Sequence, residues 1–372
     1  ALARARQRWG DHADLKRLRT VLTSAAGERG TDFVGRLQQT SGPATAKGVE
    51  DTALYRYVPL ASLNEVGGDP ARDLGCAIGD LHRANAEREA RWPRSLLCTS
   101  THDTKRSADV RSRLDVLSEV PDEWLRSVRR WRRMLAGHRV RLRGGTAPDT
   151  ATEWLLFQSL LGVWPAEALA QSATRTLRDR VVEYMRKANR EAKVRTSWTS
   201  PDERYEGAVE AYIDAALDSE TFVSEMAAWA SRVAPAGYCN ALSRLLVHLT
   251  APGTPDIYQG DETWSFTLVD PDNRRPVDFA TRRSALDRID AAVQQGDVAS
   301  ACAEMLRRVG DGRIKMHVTR SALRARRLMP AVFLRGRYAA LETRGEEQRH
   351  AVAFTRASEG VTVLTAVTRL PL

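Results

Sequence analysis

Between residues 122 and 231 the chain places apolar side chains three and four apart almost without a break. That periodicity admits helices and excludes an all-β fold. Pro121-Asp122 predicts a helix start, since proline at the first helical position gives up no ladder bond. Trp124, Val128, Trp131 and Leu135 then share one stripe, while Arg126, Arg129, Arg130 and Arg133 lie off it. An arginine run so placed reads as the wet face of an amphipathic helix before it reads as a nucleic-acid groove.

The flanking sequence is less regular. Residues 1 to 28 predict a helix through Leu15, Leu18 and Leu22, closed by Gly27 and Gly30, and residues 33 to 70 predict a loop-rich surface segment because turn formers recur there. Residues 76 to 90 predict a helix. Beyond Pro93, Ser95-Leu96-Leu97-Cys98-Thr99 reads as a short buried strand that delivers Thr101-His102-Asp103-Thr104-Lys105-Arg106 at its carboxyl tip. A second strand signal, 255 to 260, follows a helix carrying Leu242, Leu245, Leu246 and Leu249. A helix near 280 to 308 comes next. Alternation at 351 to 354 and 361 to 364 then predicts the start of an antiparallel β module.

Several classes drop out. With 372 residues the chain can bury a core without staples, as two or three domains or one large barrel with insertions. No apolar stretch approaches the roughly 18 residues a membrane helix needs. The formal charge of +10 favours a polyanionic partner at first sight, but only six of the 57 basic residues are lysines and the arginines are spread along the whole chain, so neither nucleic acid nor membrane is expected as a partner. Cys76, Cys98, Cys239 and Cys302 form no Cys-x-x-Cys, which fits reduced thiols in a cytoplasmic protein. The opening Ala1-Leu2-Ala3-Arg4 has no apolar signal-peptide core and no initiator Met. Serine-nucleophile elbow, phosphate loop, zincin and dinucleotide motifs are all missing, and Asp270-Pro271-Asp272-Asn273-Arg274 departs from a calcium loop at its fifth position.

What remains is a polar cluster at each strand tip. An Asp and a His at the end of a buried strand, with Lys105 and Arg106 just beyond, can grip sugar hydroxyls and set negative charge beside a developing cation. The alternative open at this point is that His102 and Asp103 cap the following helix.

The stretch 99 to 111, Thr-Ser-Thr-His102-Asp103-Thr-Lys105-Arg106-Ser-Ala-Asp109-Val-Arg111, resembles a signature of the maltooligosyltrehalose synthases, a branch of the α-amylase superfamily (glycoside hydrolase family thirteen). So do residues 38 to 57, with Lys47-Gly-Val-Glu50-Asp51-Thr, and Asn64-Glu65-Val-Gly-Gly-Asp69-Pro70. Lys187-Ala-Asn-Arg-Glu-Ala-Lys193-Val-Arg-Thr-Ser-Trp198, and 251 to 262 with 268 to 276, complete the match in the family's order. Two positions depart from the pattern: Ala108 replaces an acidic residue and Leu54 an aromatic one.

The resemblance implies a fold class of α+β, mainly helical: the C-terminal part of a (β/α)8 TIM barrel with a large helical insertion and a partial C-terminal β module. The expected segments are a helical stretch at 1–32, later barrel strands including the His-Asp strand at 33–120, the insertion at 121–235, barrel strand eight and its helix at 236–308, and the β module at 309–372. The implied function is isomerisation of the reducing-end α-1,4 bond of a maltooligosaccharide to an α,α-1,1 linkage by intramolecular transglycosylation. Asp103 is the implied transition-state carboxylate. His102, Lys105, Arg106, Lys47, Glu50, Asp51 and Tyr258 are the implied sugar-binding residues; a salt-bridged surface loop remains the other reading for Lys47, Glu50 and Asp51, and a buried support for Tyr258. Lys193 and Trp198 are within the implied reach of an oligosaccharide, although a Trp in a helical insertion reads first as core. No metal or cofactor is implied, and a trehalohydrolase is the implied pathway partner. The nucleophile and acid/base carboxylates that a retaining mechanism also needs belong to segments before the His-Asp strand, and none of Asp11, Asp14, Asp32 or Glu50 has a matching context. The expectation is therefore the C-terminal portion of an enzyme, inactive alone. The competing readings are an amylase-type or trehalohydrolase glycoside hydrolase, and a non-catalytic basic binding module.

Overall fold

The computed structural model describes residues 7, 10, 12–23, 27–68, 76–165 and 171–372. Asp11, Asp69 and Pro70, named above, lie outside the described residues, as does much of the stretch 1 to 12. The chain divides into two compact units, Ala1–Leu54 and Tyr55–Leu372.

In the first unit, helix α1 spans Ala13–Thr23 and helix α2 spans Gly27–Thr45. Gly27 thus opens a helix where the sequence predicts a stop, and the segment expected to be loop-rich is helical from Phe33 to Arg56 and irregular over most of 57–68. Glycine lowers helix propensity without forbidding it, and the i,i+4 pair Arg36 to Asp32, at 2.9 Å, supports the turn that follows. Pro43 sits inside α2, and the chain then widens to a π-helix over Ala46–Ala53.

In the second unit, α3 (Ile78–Arg91) leads to β1 (Leu96–Leu97), α4 (Ala108–Asp115) and α5 (Pro121–Met134). A hairpin of β2 (Val140–Leu142) and β3 (Gly145–Ala147) interrupts the helical region. Helices α6 (Thr150–Val163), α7 (Gln171–Ala192), α8 (Glu203–Asp218) and the 31-residue α9 (Glu220–Thr250) follow. The starts of α6, α8 and α9 are set by side-chain caps: Asp149, Asp202 and Ser219 accept bonds from the N–H groups of Thr152, Tyr205 and Phe222.

The predicted stripe of α5 is buried, with Trp131 fully enclosed. Trp131 meets Trp124, Phe157 and Phe222 edge-on at ring distances of 5.4, 5.4 and 5.3 Å, and Trp124 meets Trp229 at 5.3 Å. Such aromatic contacts add to the burial that holds α5, α6 and α9 together.

After α9 comes β4 (Thr254–Pro255), shorter than the predicted strand because the ladder ends at Pro255 and the rest is loop. The single helix predicted near 280 to 308 is two, α10 (Phe279–Gln294) and α11 (Val298–Arg307), divided at Gly296, whose φ of 83° ends α10 in the left-handed region. Helices α12 (Arg313–Leu328) and α13 (Pro330–Arg335) precede the antiparallel meander β5 (Arg337–Leu341), β6 (Ala351–Ser358) and β7 (Val361–Thr368), as the alternation predicts. The molecule is mainly helical. Among the described residues, the parallel pairing is confined to β1 and β4.

Candidate active site

That parallel pair builds the candidate site. Leu96 lies opposite Thr254 and Leu97 opposite Pro255, tied by Thr254 N donating to Ser95 O (2.9 Å) and Asp256 N to Leu97 O (2.7 Å). The loops leaving both carboxyl ends, 98–107 and 256–262, therefore emerge side by side. Close approach requires Gly253: at φ 122° it occupies backbone space that side chains avoid, and a Cβ there would lie 2.7 Å from Leu97.

The first loop is a tight turn. Thr101 Oγ1 accepts from the N–H of Asp103 (3.2 Å) and of Thr104 (3.1 Å), and Thr104 Oγ1 donates to Thr101 O (2.9 Å). His102 is exposed at its tip and Asp103 is half-buried beside it. Ser107, whose Oγ accepts from Val110 N, caps α4, so His102 and Asp103 are not spent on capping.

The turn is braced by side chains distant in sequence. Glu65 accepts from Lys105 N at Oε1 (2.7 Å) and from Arg106 N at Oε2 (3.1 Å). Asn273 donates to His102 O (2.9 Å) and Thr101 O (3.3 Å). Beneath, Asp109 in the first turn of α4 pairs with Lys315 (2.6 Å) and Arg244 (3.1 Å) and accepts from Ser265 N (2.8 Å). Asp272 holds Arg180 of α7 and the N–H of Leu268, while Lys187 donates to Asp270 O at 3.1 Å. Residues from four of the stretches quoted above thus meet at one corner.

Burial sets the protonation here. It pushes the Asp261 carboxyl above the usual carboxylate range, an effect that the nearby Asp109 charge reinforces and that Lys315 and the Ser100 hydroxyl oppose. Burial also lowers His248, whose Nε2 lies 2.9 Å from Asp256 O and donates there when neutral.

Not every expected residue reaches solvent. Lys105 and Arg106, read as sugar-gripping, are both buried to 1% exposure. Arg106 donates to Ala61 O (3.1 Å) and Tyr184 Oη (2.6 Å), and Lys105 lies 3.4 Å from Asp103 O and over the Tyr55 ring. Their long side chains turn under the loop, where a guanidinium or ammonium finds carbonyl and aromatic partners. Tyr258 follows β4, half-buried. Lys47, Glu50 and Asp51 belong to the first unit, on its π-helix, where Lys47 pairs with Asp51. Trp198, read first as core, is exposed, with Arg190 over its ring at 4.9 Å and its Nε1 donating to Glu191.

Glu65, Asp109 and Asn273 lie within the recognised stretches, but nothing in the sequence marks them as braces. Arg244 and Lys315 carry no local signal at all, because each meets Asp109 across 135 and 206 residues.

Polar loops gathered at the carboxyl ends of a parallel strand pair stand where α/β folds carry their ligand sites. No family model matches the chain. Two curated Mycobacterium tuberculosis proteins described as maltooligosyl trehalose synthases are 40% identical over 348 residues, 94% of this chain and 40% of theirs. The solved maltooligosyltrehalose synthase of Arthrobacter ramosus superposes with a TM-score of 0.77 at 36% identity, over all of this chain and 44% of that one. A further solved maltooligosyl trehalose synthase gives 0.73 at 27% identity, over 99% of this chain and 54% of that one. The chain is homologous to part of the maltooligosyltrehalose synthases, and it spans about two fifths of the length of the curated relatives it matches.

Proposed function

We propose that this chain supplies the part of a maltooligosyltrehalose synthase active site in which Asp103 faces the sugar next to the bond that is cleaved. The observation that carries the reading is the placement of Asp103: at the carboxyl tip of a parallel strand, beside the exposed His102, in a turn braced by Glu65 and Asn273. β1 and β4 are, on this reading, neighbouring strands of a (β/α)8 barrel, and α5 to α9 fill the insertion between them.

The reaction is intramolecular transglycosylation. A carboxylate nucleophile attacks the anomeric carbon of the penultimate sugar, the α-1,4 bond breaks, and the acid/base protonates the departing O4 of the terminal glucose. That glucose turns in place, and its anomeric hydroxyl attacks the glycosyl-enzyme, returning its proton to the acid/base and forming the α,α-1,1 bond. Asp103 stabilises the oxocarbenium-like charge in both steps, and His102 orients the ring by hydrogen bonding. The nucleophile and acid/base are assigned to no residue of this chain, so its turnover depends on carboxylates from additional sequence. The product is a substrate for a trehalohydrolase acting next in a cytoplasmic pathway.

The test is a product assay on maltopentaose, with the chain alone and with a polypeptide extended on its N-terminal side. Loss of reducing ends without release of glucose, in the extended protein only, is the expected result. Glucose release as the main reaction would turn the reading to a hydrolase, and inactivity in both would favour a binding module.

A further inference from the structure

We propose that Glu65 and Asn273 are positioning residues for Asp103, two clamps of opposite polarity closing on the turn that carries it. For its substrate the proposal rests on the reading above; for the clamp itself it does not.

Glu65 is buried to 6% exposure, and its carboxylate is filled by backbone donors. Oε1 takes the N–H of Lys105 at 2.7 Å and of Val66 at 2.8 Å, and Oε2 takes that of Arg106 at 3.1 Å. Bonds to an ionised acceptor are about twice as strong as neutral ones. Arg111, 3.8 Å away, supplies the counter-charge and with the same guanidinium donates to Thr99 O at the end of the strand.

On the other side Asn273 presents an amide NH2 to two carbonyls, those of Thr101 and His102. The carbonyls before Asp103 are therefore fixed by a donor and the amides after it by an acceptor, from segments 171 and 40 residues away. Neither clamp uses the Asp103 carboxylate, which stays available. A backbone pinned on both sides fixes the direction of the side chain between, and a displacement of about 1 Å at a reacting group can cost about a hundredfold in rate.

The experiment uses the full chain with Glu65→Gln, Glu65→Asp and Asn273→Asp, each alone and with Asp103→Asn. Gln sets an NH2 against an N–H donor, and Asp at 273 sets a carboxylate against carbonyls. Amide exchange at residues 101 to 106, read by NMR, is expected to speed up about tenfold or more in Glu65→Gln and Asn273→Asp, with partial recovery in Glu65→Asp. Maltopentaose affinity is expected to fall about tenfold in both, and this loss is expected to vanish when Asp103 is already Asn, since coupled residues are not additive. Unchanged exchange and affinity in both variants would overturn the proposal, as would losses that persist undiminished with Asp103→Asn. Where Asn273→Asp fails to fold, Asn273→Ser removes the same two bonds more gently and is read in the same way. If the wild-type chain binds no maltopentaose, the functional reading falls while the exchange rates still decide the clamp.

Discussion

The helical body and the braces beneath the strand tip are both buried, but different forces hold them. Around Trp131 the contacts are mostly ring edges, with one directed bond from its Nε1 to Glu225 Oε2 (2.6 Å), and in such apolar packing volume-conserving replacements are tolerated best. At the corner, Asp109, Lys315, Arg244, Glu65, Asn273 and Asp272 hold loops by directed bonds, each partner chosen by one atom of another. Apolar packing supplies most of the stability; the polar corner spends part of it to fix a few backbone atoms.

Size-conserving replacements should separate the two regions most widely. Lys315→Met leaves the buried Asp109 short of a cation and should cost about 3–5 kcal/mol in urea unfolding, whereas Leu156→Met in the fully buried α6 core should cost less than about 1.5 kcal/mol. Equal costs would erase the distinction. Gly253→Ala comes next, at about 1–3 kcal/mol, because the added methyl meets Leu97 and the left-handed backbone disfavours it. Its loss should appear first as faster amide exchange at Thr254 and Asp256; uniform loosening of the whole chain would speak against a local clash.

The acid limb of the stability profile gives a smaller, graded effect. Burial holds His248 and His317 below their ordinary value of 6.5. The unfolded chain takes up protons there first, so the contribution is complete above pH 6.5 and is lost as the pH falls below it. Thermal melts from pH 7.5 to 5 should show the decline, and His248→Gln should flatten it. Smallest in stability is Asp103→Asn, expected within about 0.5 kcal/mol of wild type because its half-buried carboxylate braces no other side chain or backbone among the described residues. In the extended protein of the product assay it should nevertheless abolish conversion of maltopentaose, and full turnover there would remove Asp103 from the mechanism.

Legibility in the sequence follows the same division. The α5 stripe was readable because a helix repeats every 3.6 residues and its burial shows in composition, and the closing meander because alternation has a period of two. The helix from Gly27 was not, since glycine and Pro43 outweigh the local pairs that sustain it. At the corner, motif residues such as His102 and Asp103 stood out by type and place. Arg244 and Lys315 could not, because a buried ion pair closes through space and leaves no spacing to read. That Lys105 and Arg106 are buried could not be read for a related reason: a charged residue's type does not reveal which way its long stem turns.

The central claim is that the braced turn meets a glucan. Amide exchange along the chain with and without maltopentaose tests it most directly. The account predicts added protection at 99–106 and 256–262 that disappears in Asp103→Asn. Protection confined to the arginine face of α5, or none anywhere, would contradict it.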